Sequence, residues 1–179
     1  MPSNNPKWVT VVGVLGIIFG LAGLIGAAQV ASMPKVIEMQ KAMFKAIPTD
    51  AAGNPPPREM QEFFESFWGT PPPWFQPAAI VLGLVALIVN GLYIFAAIAL
   101  LQLKPFAVKL FGAVLITSMI LALVRSAVLA ISFSMFGMTF AVGGLVGLVM
   151  DGVLLAVLLT SDKSAMQPPQ PMNRLDVVQ

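Results

Sequence analysis

Four apolar stretches, each long enough to cross a lipid bilayer, constrain the fold of this chain more than any other feature. They cover residues 8–32, 77–102, 106–133 and 138–160. A membrane span needs about 20 apolar residues, and a single segment in lipid satisfies its own backbone polar groups only as a helix. The chain is 58% hydrophobic and 10% charged, whereas soluble domains are about 25% charged. The sequence therefore predicts an all-α polytopic membrane protein, a bundle of four transmembrane helices.

Three segments lie outside these spans. They are a short N-terminal segment, 1–7, a loop between the first two spans, 33–76, and a polar, proline-rich tail, 161–179. Apolar residues recur twice at helical spacing in the loop, which predicts a cap of two short amphipathic helices. The cap either lies in the headgroup layer or offers a docking surface to a partner protein. The candidate docking residues are Phe63, Phe64, Phe67 and Trp68.

The charges that flank the spans indicate how the chain lies in its membrane. An even number of spans places both termini on one side, and the short loop between spans two and three carries Lys104 and Lys109 without an acidic residue. Because such loops stay in the cytoplasm, we expect cytoplasmic termini, in a bacterial cytoplasmic membrane. Lys35, Lys41 and Lys45 favour the opposite orientation, but they belong to a longer segment of mixed charge.

Small residues mark the faces through which the spans are expected to touch. Helices in lipid associate where small side chains let backbones approach closely. The small-residue face of span one either packs inside the bundle or forms a seam between two copies of the chain. The candidate packing glycines are Gly13, Gly16, Gly20 and Gly23 in span one, and Gly143 and Gly147 in span four.

One acid and one base lie deep within the apolar stretches, far from their ends. A hairpin of spans three and four that turns at Gly137 and Met138 would bring Arg125 and Asp151 to the same depth. An unpaired charge at the centre of a span costs about 2.5–3.5 kcal/mol on insertion scales, so the sequence predicts an Arg125–Asp151 ion pair. We interpret this pair as a latch between helices or subunits, with a transport site as the alternative.

Other polar residues are expected to support that pair. They are Asn90, Ser118 and Ser126. We expect Asn90 to hydrogen-bond to a neighbouring helix, and we interpret Tyr93 as a packing or interface residue.

The residue types that are absent exclude several functions. The chain has no cysteine and no histidine, which removes the commonest ligands for zinc and haem and the commonest general base. We therefore expect no enzyme activity, no metal and no cofactor. The net charge of +2 is too small to indicate binding to nucleic acid.

These observations lead to two hypotheses on function. The first is a non-catalytic accessory or scaffold subunit of a larger membrane complex, whose partners are lipid and other membrane subunits, or further copies of the chain. The second is a small oligomeric transporter or channel built around Arg125, Asp151 and Asn90.

Overall fold

The computed structural model describes residues 6–45, 58, 62–63, 71–132 and 135–164. Within these ranges the chain forms α1 (Lys7–Lys45), α2 (Phe75–Leu101), α3 (Ala107–Ser132) and α4 (Met135–Thr160). All four helices are long and apolar enough to cross a membrane. The prediction of an all-α membrane protein with a bundle of four helices is confirmed.

Helix α1 extends well beyond the first apolar stretch. Its 39 residues correspond to about 58 Å at 1.5 Å per residue, against a hydrocarbon thickness of about 30 Å. It continues through Pro34, which removes one backbone hydrogen bond without ending the helix. The first expected cap helix is therefore the end of α1 and not a separate element. The second lies outside the described residues, except for positions 58 and 62–63.

Helices α1 and α2 form the most extensive contact in the bundle. A Cβ atom added to any of the four candidate glycines of α1 would collide with a side chain of α2. Gly83 of α2 likewise lets α1 approach closely, because a Cβ atom on Gly83 would lie 2.9 Å from the Ala31 backbone nitrogen of α1. The glycines of α1 thus pack against α2, within one copy of the chain.

The two ends of the bundle can be told apart by their contacts. At one end, which we call the terminal end, the Trp8 indole N–H donates a hydrogen bond to the Asp162 carbonyl oxygen at 3.1 Å. At the opposite end, Met33 of α1, Phe75 of α2 and Leu129 of α3 belong to one buried cluster. The start of α1 and the end of α4 therefore lie on the same side of the bundle.

The register between α3 and α4 sets the depth of the polar residues. The Ser126 hydroxyl lies directly over Gly144, and Ser118 lies close to the Asp151 carboxylate. Helix α3 ends at Ser132 and α4 begins at Met135. Gly137 and Met138 therefore lie inside α4 and do not form the turn expected there.

Candidate functional site

A cavity of about 280 Å³ lies inside the bundle, and all four helices contribute to its walls. We call it the central cavity. Its polar lining residues are Asn90 and Tyr93 from α2, Ser118 and Arg125 from α3, and Asp151 from α4. Charged residues within membrane proteins usually face a cavity or the bundle interior, where they bind substrates or ions. The central cavity is therefore the candidate functional site.

Asp151 is held in the central cavity by the Tyr93 hydroxyl. Its side chain is only 7% exposed, and its Oδ1 atom accepts a hydrogen bond from the Tyr93 hydroxyl at 2.9 Å. The Ser118 side chain lies nearby and lines the same cavity. Tyr93 is fixed in turn by Phe111, whose ring it meets edge to face with centroids 5.4 Å apart. The Tyr93 hydroxyl therefore fixes the orientation of the carboxylate.

The predicted ion pair between Arg125 and Asp151 is not formed. None of the four carboxylates in the described part of the chain lies within 4.0 Å of the Arg125 guanidinium. The physical reason is register: Asp151 lies opposite Ser118, and Arg125 lies seven residues further along α3. Seven residues correspond to about 10 Å along a helix. The two charges thus occupy different levels of the same cavity.

Arg125 approaches α1 where that helix has no side chain. Its Nη1 atom lies 3.7 Å from the position that a Cβ atom on Gly26 would occupy. At the same level, Gly144 of α4 faces Ser126 of α3. Glycines of α1 and α4 thus lie at the same level of the bundle as the Arg125 guanidinium.

Asn90 occupies the level between the two charges. Its Nδ2 group donates a hydrogen bond to the Ala86 carbonyl oxygen of its own helix at 2.7 Å, and its side-chain oxygen lies over Gly23 of α1. Among the described residues, Asn90 therefore does not make the expected hydrogen bond to a neighbouring helix. It fills the space that Gly23 leaves open.

The two candidate glycines of α4 do not make the expected close contact. A Cβ atom added to Gly143 or Gly147 would find no other atom within 4 Å, whereas one on Gly144 would collide with Ser126. The contact glycine is thus one residue from the prediction, which is a rotation of about 100° around the helix. Gly143 and Gly147 instead line the central cavity.

Helices α1 and α4 both line the central cavity but make few contacts with each other, from which we infer that the cavity opens between them. We call this opening the α1/α4 cleft. Its lining residues are Phe19 and Ala22 from α1, and Gly143, Val146 and Gly147 from α4. Ala22 and all three cleft residues of α4 are exposed at the surface of the bundle.

Tyr93 is the site residue that sequence reasoning missed. Small or polar residues of α2 recur at alternating spacings of four and three, at Ala79, Gly83, Ala86 and Asn90, and the next step is Tyr93. That pattern could have placed the tyrosine on the cavity face.

The predicted docking surface is only partly described. Phe63 is 66% exposed, whereas Phe64, Phe67 and Trp68 lie outside the described residues. Within the described ranges, no three acidic side chains come together in a way that could hold a metal ion.

The fold and the central cavity define a class of protein, an all-α membrane protein with a polar site inside its bundle. No protein-family model matches the chain, and neither a curated protein nor a solved structure matches it. The function is therefore inferred from the cavity itself.

Proposed function

We propose that this protein is a small membrane transporter or channel that binds a polar solute in the central cavity. The observation that supports this proposal is the convergence of five polar side chains from three helices on one cavity. Solute sites of many transporters likewise lie near the middle of the bilayer. A protein that used Arg125 and Asp151 only to join helices would pair them directly.

The glycines of α4 also favour a binding site. Gly143 and Gly147 face open space within the cavity walls. Both glycines are exposed, so the missing side chains leave this wall of the cavity open. The open volume next to buried charges is what a solute site requires.

Substituted cysteines provide the test, because the chain has no cysteine of its own. In proteoliposomes, Gly147→Cys is expected to react with a hydrophilic methanethiosulfonate reagent, since a cavity that admits a polar solute also admits water, which permits the thiolate to form. Val149→Cys is the matched control, because Val149 lies on the same helix, is 61% exposed and does not line the cavity. It is expected to remain unmodified in lipid.

Equal lack of reaction at both positions would contradict the proposal and favour an accessory subunit. That second candidate has its own supporting observation, since the end of α1 exposes Val36, Met39 and Met43. Extraction in mild detergent followed by mass spectrometry would then show stoichiometric partner subunits bound to the chain.

We further propose that both termini lie on the cytoplasmic side of a bacterial cytoplasmic membrane. Four lysines and one carboxylate lie at the terminal end among the described residues. The lysines are Lys7, Lys104, Lys109 and Lys163. The carboxylate is Asp162, whose pKa is held below its usual value by hydrogen bonds from the backbone N–H and the hydroxyl of Ser164. The excess of lysine supports a cytoplasmic location of this end.

Labelling with a membrane-impermeant maleimide checks this orientation. Ser164→Cys at the terminal end is expected to react in inverted vesicles and not in right-side-out vesicles. Ala42→Cys, at the exposed end of α1, is expected to give the reverse pattern. The opposite pair of results would place the termini outside.

A further inference from the structure

The Arg125 guanidinium is the least satisfied charge in the central cavity. No carboxylate of the described residues lies within 4.0 Å of it, whereas Asp151 accepts a hydrogen bond from the Tyr93 hydroxyl. A guanidinium presents a planar set of N–H donors that matches the oxygens of a carboxylate or phosphate. An anionic ligand with oxygen acceptors would therefore satisfy the Arg125 guanidinium.

The walls around this charge are largely apolar. Phe19 of α1, Leu121 of α3 and Val146 and Met150 of α4 line the same cavity. A small hydrated anion would lose most of its water here and gain only one charged partner, and such desolvation is costly. A ligand with an apolar part next to its oxyanion gains contact with these side chains as well.

The α1/α4 cleft gives such a ligand a route from the bilayer. The cleft residues of α4 are exposed at the surface of the bundle, and Cβ atoms on its two glycines would meet nothing within 4 Å. An acyl chain can lie in this cleft while its headgroup reaches the guanidinium. Asp151 does not interfere, because it lies about two helical turns away along the bundle.

We propose that the central cavity binds a lipid with an oxyanion headgroup, which enters sideways from the bilayer through the α1/α4 cleft. Arg125 holds the headgroup, and the apolar walls and the cleft hold the start of the acyl chain. This inference rests on the proposed function and names its ligand class. The ligand comes from the membrane rather than from the aqueous phase.

Binding of a fluorescent fatty acid tests the inference. The probe is cis-parinaric acid, titrated into the purified full chain in nanodiscs made only of phosphatidylcholine, with empty nanodiscs as the background. We expect saturable binding that Arg125→Gln weakens by at least about tenfold, since charge-assisted hydrogen bonds are lost. Lys109→Gln removes an equal charge from an exposed site outside the cavity and is expected to bind as the wild type does.

A second variant keeps the test decisive if Arg125→Gln does not fold. Gly147→Leu places a side chain in open space, so it is expected to preserve the bundle and to block the cleft. Binding that neither variant weakens would overturn the inference.

Competition distinguishes a membrane ligand from a soluble anion or a protein partner. Oleate is expected to displace the probe, whereas sodium acetate and sodium phosphate at the same concentration are not. Displacement by acetate or phosphate alone would overturn the lipid source. Co-purification of another membrane subunit that Arg125→Gln releases would assign the charge to a protein partner instead.

Failure of this inference can be told apart from failure of the proposed function. A chain whose Gly147→Cys variant reacts with the hydrophilic reagent, but which does not bind the fatty acid, keeps a solute cavity and lacks the lipid ligand. A chain that does neither loses both proposals.

Discussion

Replacement of Gly83 by alanine is expected to lower the free energy of unfolding of the bundle, whereas the same replacement at Gly91 is expected to raise it. Both glycines lie inside α2, so both substitutions gain the same helix propensity, about 1 kcal/mol in favour of alanine. A Cβ atom at Gly91 would meet no atom within 4 Å. Only the contacts at Gly83 can therefore make the replacement by alanine destabilising.

The contacts at Gly83 involve atoms that cannot move aside. A Cβ atom there would lie 2.6 Å from the Ala31 Cβ atom and 2.9 Å from its Cα and backbone nitrogen. Since these atoms are fixed to the α1 backbone, the two helices must separate, and overpacking of this kind typically costs about 1–3 kcal/mol. Leucine at Gly83 is expected to cost more still, and leucine at Gly91 is expected to be tolerated in lipid.

Unfolding in mixed micelles of mild detergent and sodium dodecyl sulfate, followed by circular dichroism, measures these differences. The alanine variants at Gly83 and Gly91 are compared with the wild type on the same day and at the same protein concentration. Equal stabilisation by both would mean that α1 and α2 do not approach as closely at Ala31 as the structure places them.

The helices and their main packing face were predictable from the sequence for a definite physical reason. Lipid leaves no alternative to a helix for a long apolar stretch, so the length and composition of residues 77–102 or 106–133 determine the element. The glycine spacing at Gly16 and Gly20 likewise determines a face, because side-chain direction follows the helical repeat.

The register of the α3–α4 hairpin could not be predicted in the same way. Gly137 and Met138 resemble a turn, yet they lie inside α4, because glycine is tolerated within a membrane helix when neighbouring helices support it. A shift of a few residues in the turn moves one helix past the other. That shift separates Arg125 from Asp151 by about two helical turns.

The end of α1 could not be predicted from the sequence either. The change from apolar to mixed residues after Pro34 shows where α1 leaves the apolar stretch, but the backbone continues as a helix to Lys45. Polarity reports the environment of a helix and does not by itself end one.

Replacement of Tyr93 by phenylalanine is expected to destabilise the bundle by about 1–2 kcal/mol, although it changes only one buried hydroxyl. The ring keeps its edge-to-face contact with Phe111. The Asp151 carboxylate, however, loses the donor at 2.9 Å and keeps only the nearby Ser118 side chain. A buried acceptor that loses its donor bears the cost of desolvation.

A pair of double-mutant cycles measures which side chain interacts with Asp151. Tyr93→Phe combined with Asp151→Leu is expected to cost less than the two single changes added together, by about 1 kcal/mol or more, because the pair is in direct contact. Arg125→Leu combined with Asp151→Leu is expected to be additive within about 0.5 kcal/mol, because these side chains lie at different levels. Each variant is unfolded in the same mixed micelles.

The coupling free energies from the two cycles distinguish a hydroxyl partner of Asp151 from a guanidinium partner. A bundle in which the guanidinium neutralises the carboxylate would show strong coupling in the Arg125 cycle and weak coupling in the Tyr93 cycle. The arrangement found here predicts the reverse, since a hydroxyl holds the carboxylate at 2.9 Å. Only this arrangement leaves Arg125 without a carboxylate partner among the described residues, as the proposed anion site requires.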